Sequence, residues 1–138
     1  MNVARGSTIT TWWAGEADLA RAWDMVAACI PGHLVSGDVA ADAIAPTRRP
    51  RQLVIHAPEG SLSTSELIPV LSPTDATVVL HVHGDPVAQR AVVAAMWRGR
   101  SMCAADDLQI AWDLKSGIGE DATVAQAAWY RRVIGRWR

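Results

Sequence analysis

Three histidines stand near strand ends in this chain: His56 in "QLVIHAP", and His81 and His83 in "VVLHVHGDP". Residues two apart on a strand point to the same face, so His81 and His83 present their imidazoles together. With His56 on a neighbouring strand they would offer three nitrogens to Zn²⁺, the protein-ligand number of a catalytic zinc site. Glu59 and Asp85 lie a few residues beyond and could orient an imidazole or act as a general base. The plainer alternative is that strand-end histidines meet solvent and hydrogen-bond to loops. No His-Glu-x-x-His or cysteine-rich motif supports a metal. The expectation is therefore no cofactor, with His56, His81 and His83 as the alternative metal set. His33, after Pro31-Gly32, reads as an ordinary loop residue.

Other chemistries are disfavoured. Ser61, Ser63 and Ser65 lie near His56 in sequence, but no Gly-x-Ser-x-Gly elbow is present. "WWAGEAD" has neither the dinucleotide-binding nor the P-loop glycine spacing. Cys29 and Cys103 are far apart and lack metal-type spacing, so Cys29 reads as a small buried hydrophobe. A net charge of −1 argues against bulk attraction to nucleic acid or anionic lipid. No stretch has the apolar length of a signal segment or of a ~20-residue membrane span. The expected setting is the cytoplasm.

At 138 residues, half of them hydrophobic, the chain suits one domain, 1–138. Short apolar strands alternate with helical stretches. "STITTWWA" suits a strand. "EADLARAWDMVAACI" carries Leu19, Trp23, Val26 and Ile30 at helical spacing and stops at Pro31-Gly32. "HLVSG" is a weak strand, "DVAADAIA" a short helix capped by Asp38, and "TRRPR" a turn. "QLVIHAP" has the continuous apolar character of a strand buried on both faces. Ser63 and Glu66 have capping-box spacing and predict a short helix, which Pro69 keeps short. "ATVVLHVH" is the clearest strand. Asp85 and Pro86 then open a predicted helix, "VAQRAVVAAMWRG". "LQIAWDLK" alternates like a half-buried strand, although a helix through it is possible. A C-terminal helix over about 120–138 follows, acidic at its start and basic at its end.

This βα alternation predicts an α/β fold: three layers, α/β/α, around a mostly parallel five-stranded sheet in flavodoxin-like order. Ligands bind at the carboxyl ends of strands in such folds, where His81, His83 and Asp85 fall.

The five βα units resemble the receiver domain of two-component response regulators. The likeness is most local in "RQLVIHAPEGSLSTSELIPVLS" and "ATVVLHVHGDPVAQRAVVAAMWRG". The resemblance implies an acidic pair after the first strand, a phosphoacceptor Asp ending the third, a hydroxyl ending the fourth and a Lys at the fifth. Here those positions hold Trp12 and Trp13 (Glu16 is the nearest carboxylate), Ala57, His81, and Lys115 if "LQIAWDLK" is the fifth strand. Ending that strand at "SMCAA" leaves no lysine. Alanine cannot accept a phosphoryl group, and hard cations need oxygen ligands that tryptophan lacks. The resemblance thus implies a degenerate pseudo-receiver: a regulatory protein-interaction module independent of phosphorylation, and not an enzyme. The family's partner face would carry Arg90, Trp97, Arg98, Trp112, Trp129 and Arg132.

The tail "WYRRVIGRWR" joins Arg136 and Trp137 to that surface, since Arg and Trp dominate interface hot spots. A protein is the favoured partner. Self-association stays open, and contact with nucleic acid is a further alternative. The other alternative function is a small metal-dependent enzyme built on the histidines.

Overall fold

The structure, a computed structural model, describes residues 7–84 and 92–137. Asp85, Pro86, Arg90 and Arg138, and the side chains of Arg136 and Trp137, lie outside the described residues. The elements in chain order are β1 (Thr8–Ala14), α1 (Leu19–Cys29), β2 (Leu34–Ser36), α2 (Gly37–Ile44), β3 (Leu53–Ala57), β4 (Ile68–Val70), β5 (Val78–His83), β6 (Val92–Trp97), β7 (Arg100–Ala105), α3 (Asp107–Lys115) and α4 (Ala122–Arg132). Two 3-10 turns, Pro73–Asp75 and Ile134–Trp137, complete the described chain.

The sheet corrects the expected architecture. It has seven strands in the order β4-β1-β5-β3-β2-β7-β6. Only β3/β5 and β2/β7 pair in parallel; β1/β4, β1/β5, β2/β3 and β6/β7 are antiparallel. The fold is α/β with a mixed sheet and, among the described residues, four α-helices, not a mostly parallel five-stranded flavodoxin-like sheet.

Each departure has a local cause. "VAQRAVVAAMWRG" was expected as a helix ending at Gly99; its described part, from Val92, instead forms β6 and the turn of the β6–β7 hairpin. Arg98 (φ 48°) and Gly99 (φ 80°) both take positive φ, the two-residue turn whose twist suits a hairpin. "LQIAWDLK" was expected as a strand and is helix α3. The Asp106 carboxylate caps it by accepting the Leu108 and Gln109 amides at 3.0 and 2.9 Å. No helix forms at Ser63–Glu66, where Ser65 closes a turn onto the Leu62 carbonyl. The next residues instead make β4, which contains Pro69 and sits at the sheet edge, where a missing N–H is tolerated.

The C-terminal α-helix is shorter than expected, ending at Arg132. Ala122, Ala125 and Trp129 are buried, whereas Val124 is exposed. No helix among the described residues is long and apolar enough to cross a membrane.

One buried ion pair locks the helical layer. Asp38 is not the cap of α2, a place taken by Ser36. Its carboxylate instead binds Arg48 through Nε at 2.9 Å and Nη2 at 3.1 Å, and accepts the Arg51 amide at 2.9 Å. Arg48 Nη1 also donates to the Ile118 carbonyl at 2.7 Å and to Asp121 at 2.5 Å. Burial pulls against the charge on Arg48, yet the two carboxylates hold its pKa above the ordinary value. The α3–α4 connection is thereby tied to α2.

Gly37, where β2 passes into α2, sets how closely that layer approaches the sheet. It has φ +61°, and a Cβ placed there would lie 2.8 Å from Val54 Cγ2. Gly37→Ala should therefore destabilise the protein by roughly 2–4 kcal/mol, from left-handed strain plus overpacking. Urea denaturation checks this, and a loss under ~1 kcal/mol would show that the helix rides further from the sheet than described.

Candidate metal centre

The register of three strands gathers the histidines. In the parallel β3/β5 pair His56 sits beside His81, and in the antiparallel β1/β5 pair Thr10 faces His81 and Thr8 faces His83. Side chains alternate across a strand, so these five groups share one face of the sheet. The His56 ring stacks on both others, with centroids 4.8 Å from His81 and 4.9 Å from His83. Helix α3 brings Asp113 onto the same place. Its Oδ2 lies 2.7 Å from His56 Nε2, and both side chains are nearly sealed from water.

A continuous chain of hydrogen bonds results. Asp113 Oδ2 meets His56 Nε2, His56 Nδ1 meets His83 Nε2 at 2.6 Å, and His83 Nδ1 meets Thr8 Oγ1 at 3.0 Å. An ionised carboxylate only accepts, so with both rings neutral the proton positions follow from Asp113. His56 donates from Nε2 and accepts at Nδ1, His83 donates from Nε2, and the Thr8 hydroxyl donates to His83 Nδ1. His81 Nδ1 is held separately by Thr10 Oγ1 at 2.8 Å. Gln109 Nε2 reaches both Asp113 oxygens at 3.3 Å. The buried Ser36 hydroxyl faces the same carboxylate without closing a hydrogen bond to any group.

The electrostatics keep this cluster poised for a cation. Burial pushes the His81 pKa down to about 4, with the neighbouring His56 adding to the effect and Asp113 opposing it. His83 is lowered for the same reasons. Burial alone would raise Asp113, but the His56 hydrogen bond and charge, with Ser36 and His81, bring it below the usual carboxylate range. At neutral pH His81 and His83 are therefore uncharged and Asp113 is a carboxylate, the protonation states metal ligands need.

The geometry selects His56, His81 and Asp113 as the set, each offering one atom, with all three atoms within 4.8 Å of one another. His83 takes part through His56. Because Nδ1 of His81 and of His56 are occupied by Thr10 and His83, Nε2 is the remaining ligand atom on each ring, and on His56 it is engaged by Asp113 Oδ2. Sequence reasoning missed Asp113, Thr8 and Thr10. Asp113 becomes visible once α3 is read as a helix, because Ile110, Ala111 and Leu114 bury the same side.

Other candidate residues fall elsewhere. Glu59 lines a groove of about 960 Å³ with Ile9, Thr11, Leu80 and Val82, on the sheet face opposite the histidines. His33 is satisfied as expected of a loop residue, donating to the Ile30 carbonyl and accepting from Trp23. The receiver-like positions do not converge. Trp12 and Trp13 lie toward the start of β5, since Trp13 pairs with Val78, whereas Ala57 pairs with Val82 near its end. Lys115 is exposed in the last turn of α3. Of the expected partner face, Trp97 and Trp129 are buried, their indoles donating to Asp42 and to the Asp107 carbonyl. They are core residues because α2 and α3 close over them. Trp112 is exposed, Arg98 lies over the Trp97 ring, and Arg132 donates to the Pro46 carbonyl.

The depressed His81 pKa predicts how stability depends on pH. As pH falls below 6.5 the unfolded chain binds a proton that the folded chain refuses until about pH 4. Stability from this site is thus complete above pH 6.5 and lost progressively down to pH 4. With solvent screening of the half-buried ring, the loss should be on the order of 1–2 kcal/mol. Denaturation of chelator-treated protein at several pH values should show it, and His81→Gln should flatten the slope; equal slopes would exclude His81 as the source. No family model, no curated protein and no solved structure matches this chain.

Proposed function

We propose that the protein is a small metal-dependent enzyme whose ion is held by His56 Nε2, His81 Nε2 and Asp113. The observation that carries this reading is the convergence of those three ligand atoms, with the outward nitrogen of each imidazole already anchored. Metal-binding histidines characteristically donate their second ring N–H to a fixed partner, which sets tautomer and orientation. Here Thr10 serves His81, and His83 with Thr8 serves His56.

The anchoring chain can run in either direction, because hydroxyl and imidazole both donate and accept. In the free protein it runs from Thr8 toward Asp113. With Nε2 of His56 committed to an ion, the His56 proton moves to Nδ1 and donates to His83, which then donates from Nδ1 to Thr8. The His56–His83 and His83–Thr8 bonds survive the reversal, the His56–Asp113 bond would give way to the shared ion, and no proton has to leave the site. Ligand atoms ~2.0–2.1 Å from a tetrahedral Zn²⁺ lie ~3.3 Å apart. His56 and Asp113 must therefore separate slightly from 2.7 Å, while His81 closes in.

Three protein ligands without cysteine, one of them half-exposed, leave a coordination position for substrate, as catalytic sites do and structural sites do not. A bound ion would supply Lewis acidity and an activated water, so the reaction class is metal-assisted hydrolysis. The receiver-like reading is not carried further, because the parallel sheet on which it rested is absent.

Purified protein should contain close to one transition-metal ion per chain by elemental analysis, and chelator-treated protein should take up one Zn²⁺ or Co²⁺. Asp113→Ala and His81→Ala should lose this site. Thr10→Val should weaken it ~10–100-fold, the usual effect of removing an outer-shell partner. Loaded protein should hydrolyse p-nitrophenyl esters or phosphodiesters faster than the Asp113→Ala variant. Folded protein, verified by circular dichroism, that binds neither ion would remove the proposal.

A further inference from the structure

The two edges of the sheet are built differently. At one end lies β4, three residues long and interrupted by Pro69. A short edge strand with a proline resists pairing with another chain. At the other end lies β6, "VVAAMW", six residues without charge, proline or glycine, and among the described residues β7 is its one neighbouring strand. Such an edge presents a row of N–H and C=O groups and is a template for strand addition.

The hairpin also leaves one face open. Val93, Ala95, Trp97, Met102 and Ala104 turn inward and are buried or half-buried. Ala94 and Met96 are exposed, as are their register partners Cys103 and Ser101. That outer face holds no ionisable group other than the thiol.

We propose that the protein forms a two-fold dimer by antiparallel pairing of β6 with β6 of a second copy. The occupant that fits is this chain itself. β6 is neutral throughout and smallest at its centre, so a second copy opposes it with no like-charge pair, and each molecule supplies one. The pleat permits the pairing. Under a two-fold axis normal to the sheet, residues directly opposite must project to the same face, so the axis must pass through a residue paired with its own copy. The centre of the strand is Ala94-Ala95, the smallest side chains in it, so self-opposition there brings no clash. The product is one continuous sheet of two seven-stranded halves, with each metal centre well away from the junction and complete without the partner.

Sedimentation velocity over a range of concentrations should show a monomer–dimer equilibrium. Ala94→Lys places like charges across the axis, a destabilising cross-strand pair, and should shift the protein to monomer at every concentration tested. Leu71→Lys, beside the protected edge, should leave the equilibrium unchanged. A single cysteine at position 94, with Cys29→Ser and Cys103→Ser, should be linked into a dimer by a short bismaleimide. In either central register the two copies of position 94 lie within ~5–8 Å. A single cysteine at position 71 should not be linked. A wild-type monomer at the highest concentration, or a dimer that survives Ala94→Lys and escapes linking at position 94, would overturn the proposal. Circular dichroism confirms that each variant folds. Metal uptake by Ala94→Lys should match wild type, so failure of the dimer and failure of the metal site are read separately.

Discussion

A carboxylate withdrawn from water must be given donors or surrender its charge, and Asp113, with about 6% of its surface exposed, is such a group. Much of the surrounding structure answers that constraint. His56 supplies the strongest donor, and Gln109, one turn earlier on α3, supplies a second. His56 can supply it only because β3 lies in the middle of the sheet, beside β5, with its ring aimed at the helical layer. That layer stays in place through the Arg48 network, which joins α2 to the loop after α3. Gly37 lets α2 begin against Val54, and a Cβ added there would also come within 3.7 Å of the Asp113 Cβ. Asp113 thus couples site geometry to packing, and a change that moves α3 by an ångström alters the cluster.

The parts legible in the sequence are those whose signal is local. β1, α1, β3 and β5 follow from runs of β-branched residues or helical spacing, and the first helix stops where Pro31-Gly32 dictates. His81 and His83 share a face because of the period-two rule, and His56 adjoins them because β3 and β5 pair in parallel. Asp113 was hidden by a wrong period. Leu108, Ile110, Trp112 and Leu114 alternate, but Leu108 and Trp112 point to solvent while Ile110, Ala111 and Leu114 are buried. The alternation had no inward face, and the Asp106 cap decided the element.

Strand direction was less legible still. Parallel pairing was inferred from alternation of strands with helices, and that inference fails when one supposed helix is a hairpin. The β6–β7 segment is rich in alanine, which favours helices, yet two consecutive positive-φ residues at Arg98-Gly99 outweigh that preference. Direct passage from β2 into α2 through Ser36-Gly37 likewise lets β2 lie antiparallel to β3 without a crossover. The receiver-like resemblance depended on apolar positions, which a mixed sheet satisfies as well as a parallel one. The residues that would have distinguished the two, an acidic pair and a phosphoacceptor, were absent.

The donor set narrows the ion. Mg²⁺ and Ca²⁺ prefer oxygen ligands throughout and keep much of their hydration, so two imidazoles and a single carboxylate suit them poorly. Soft Cu(I) prefers thiolate and thioether ligands, and neither cysteine nor methionine belongs to the set. What remains is the borderline group, Zn²⁺ and the divalent ions of iron, cobalt and nickel, for which imidazole with carboxylate is a usual environment. His81 and His83 are uncharged at neutral pH beside an ionised Asp113, so the cluster offers a divalent ion neutral imidazole and a carboxylate. The hydrogen-bonded chain to Thr8 lets the imidazoles change tautomer while the His56–His83 and His83–Thr8 contacts persist. Under the metal reading, the reorganisation left to binding is a shift of tautomer, a slight parting of His56 from Asp113 and a closure of His81 toward them.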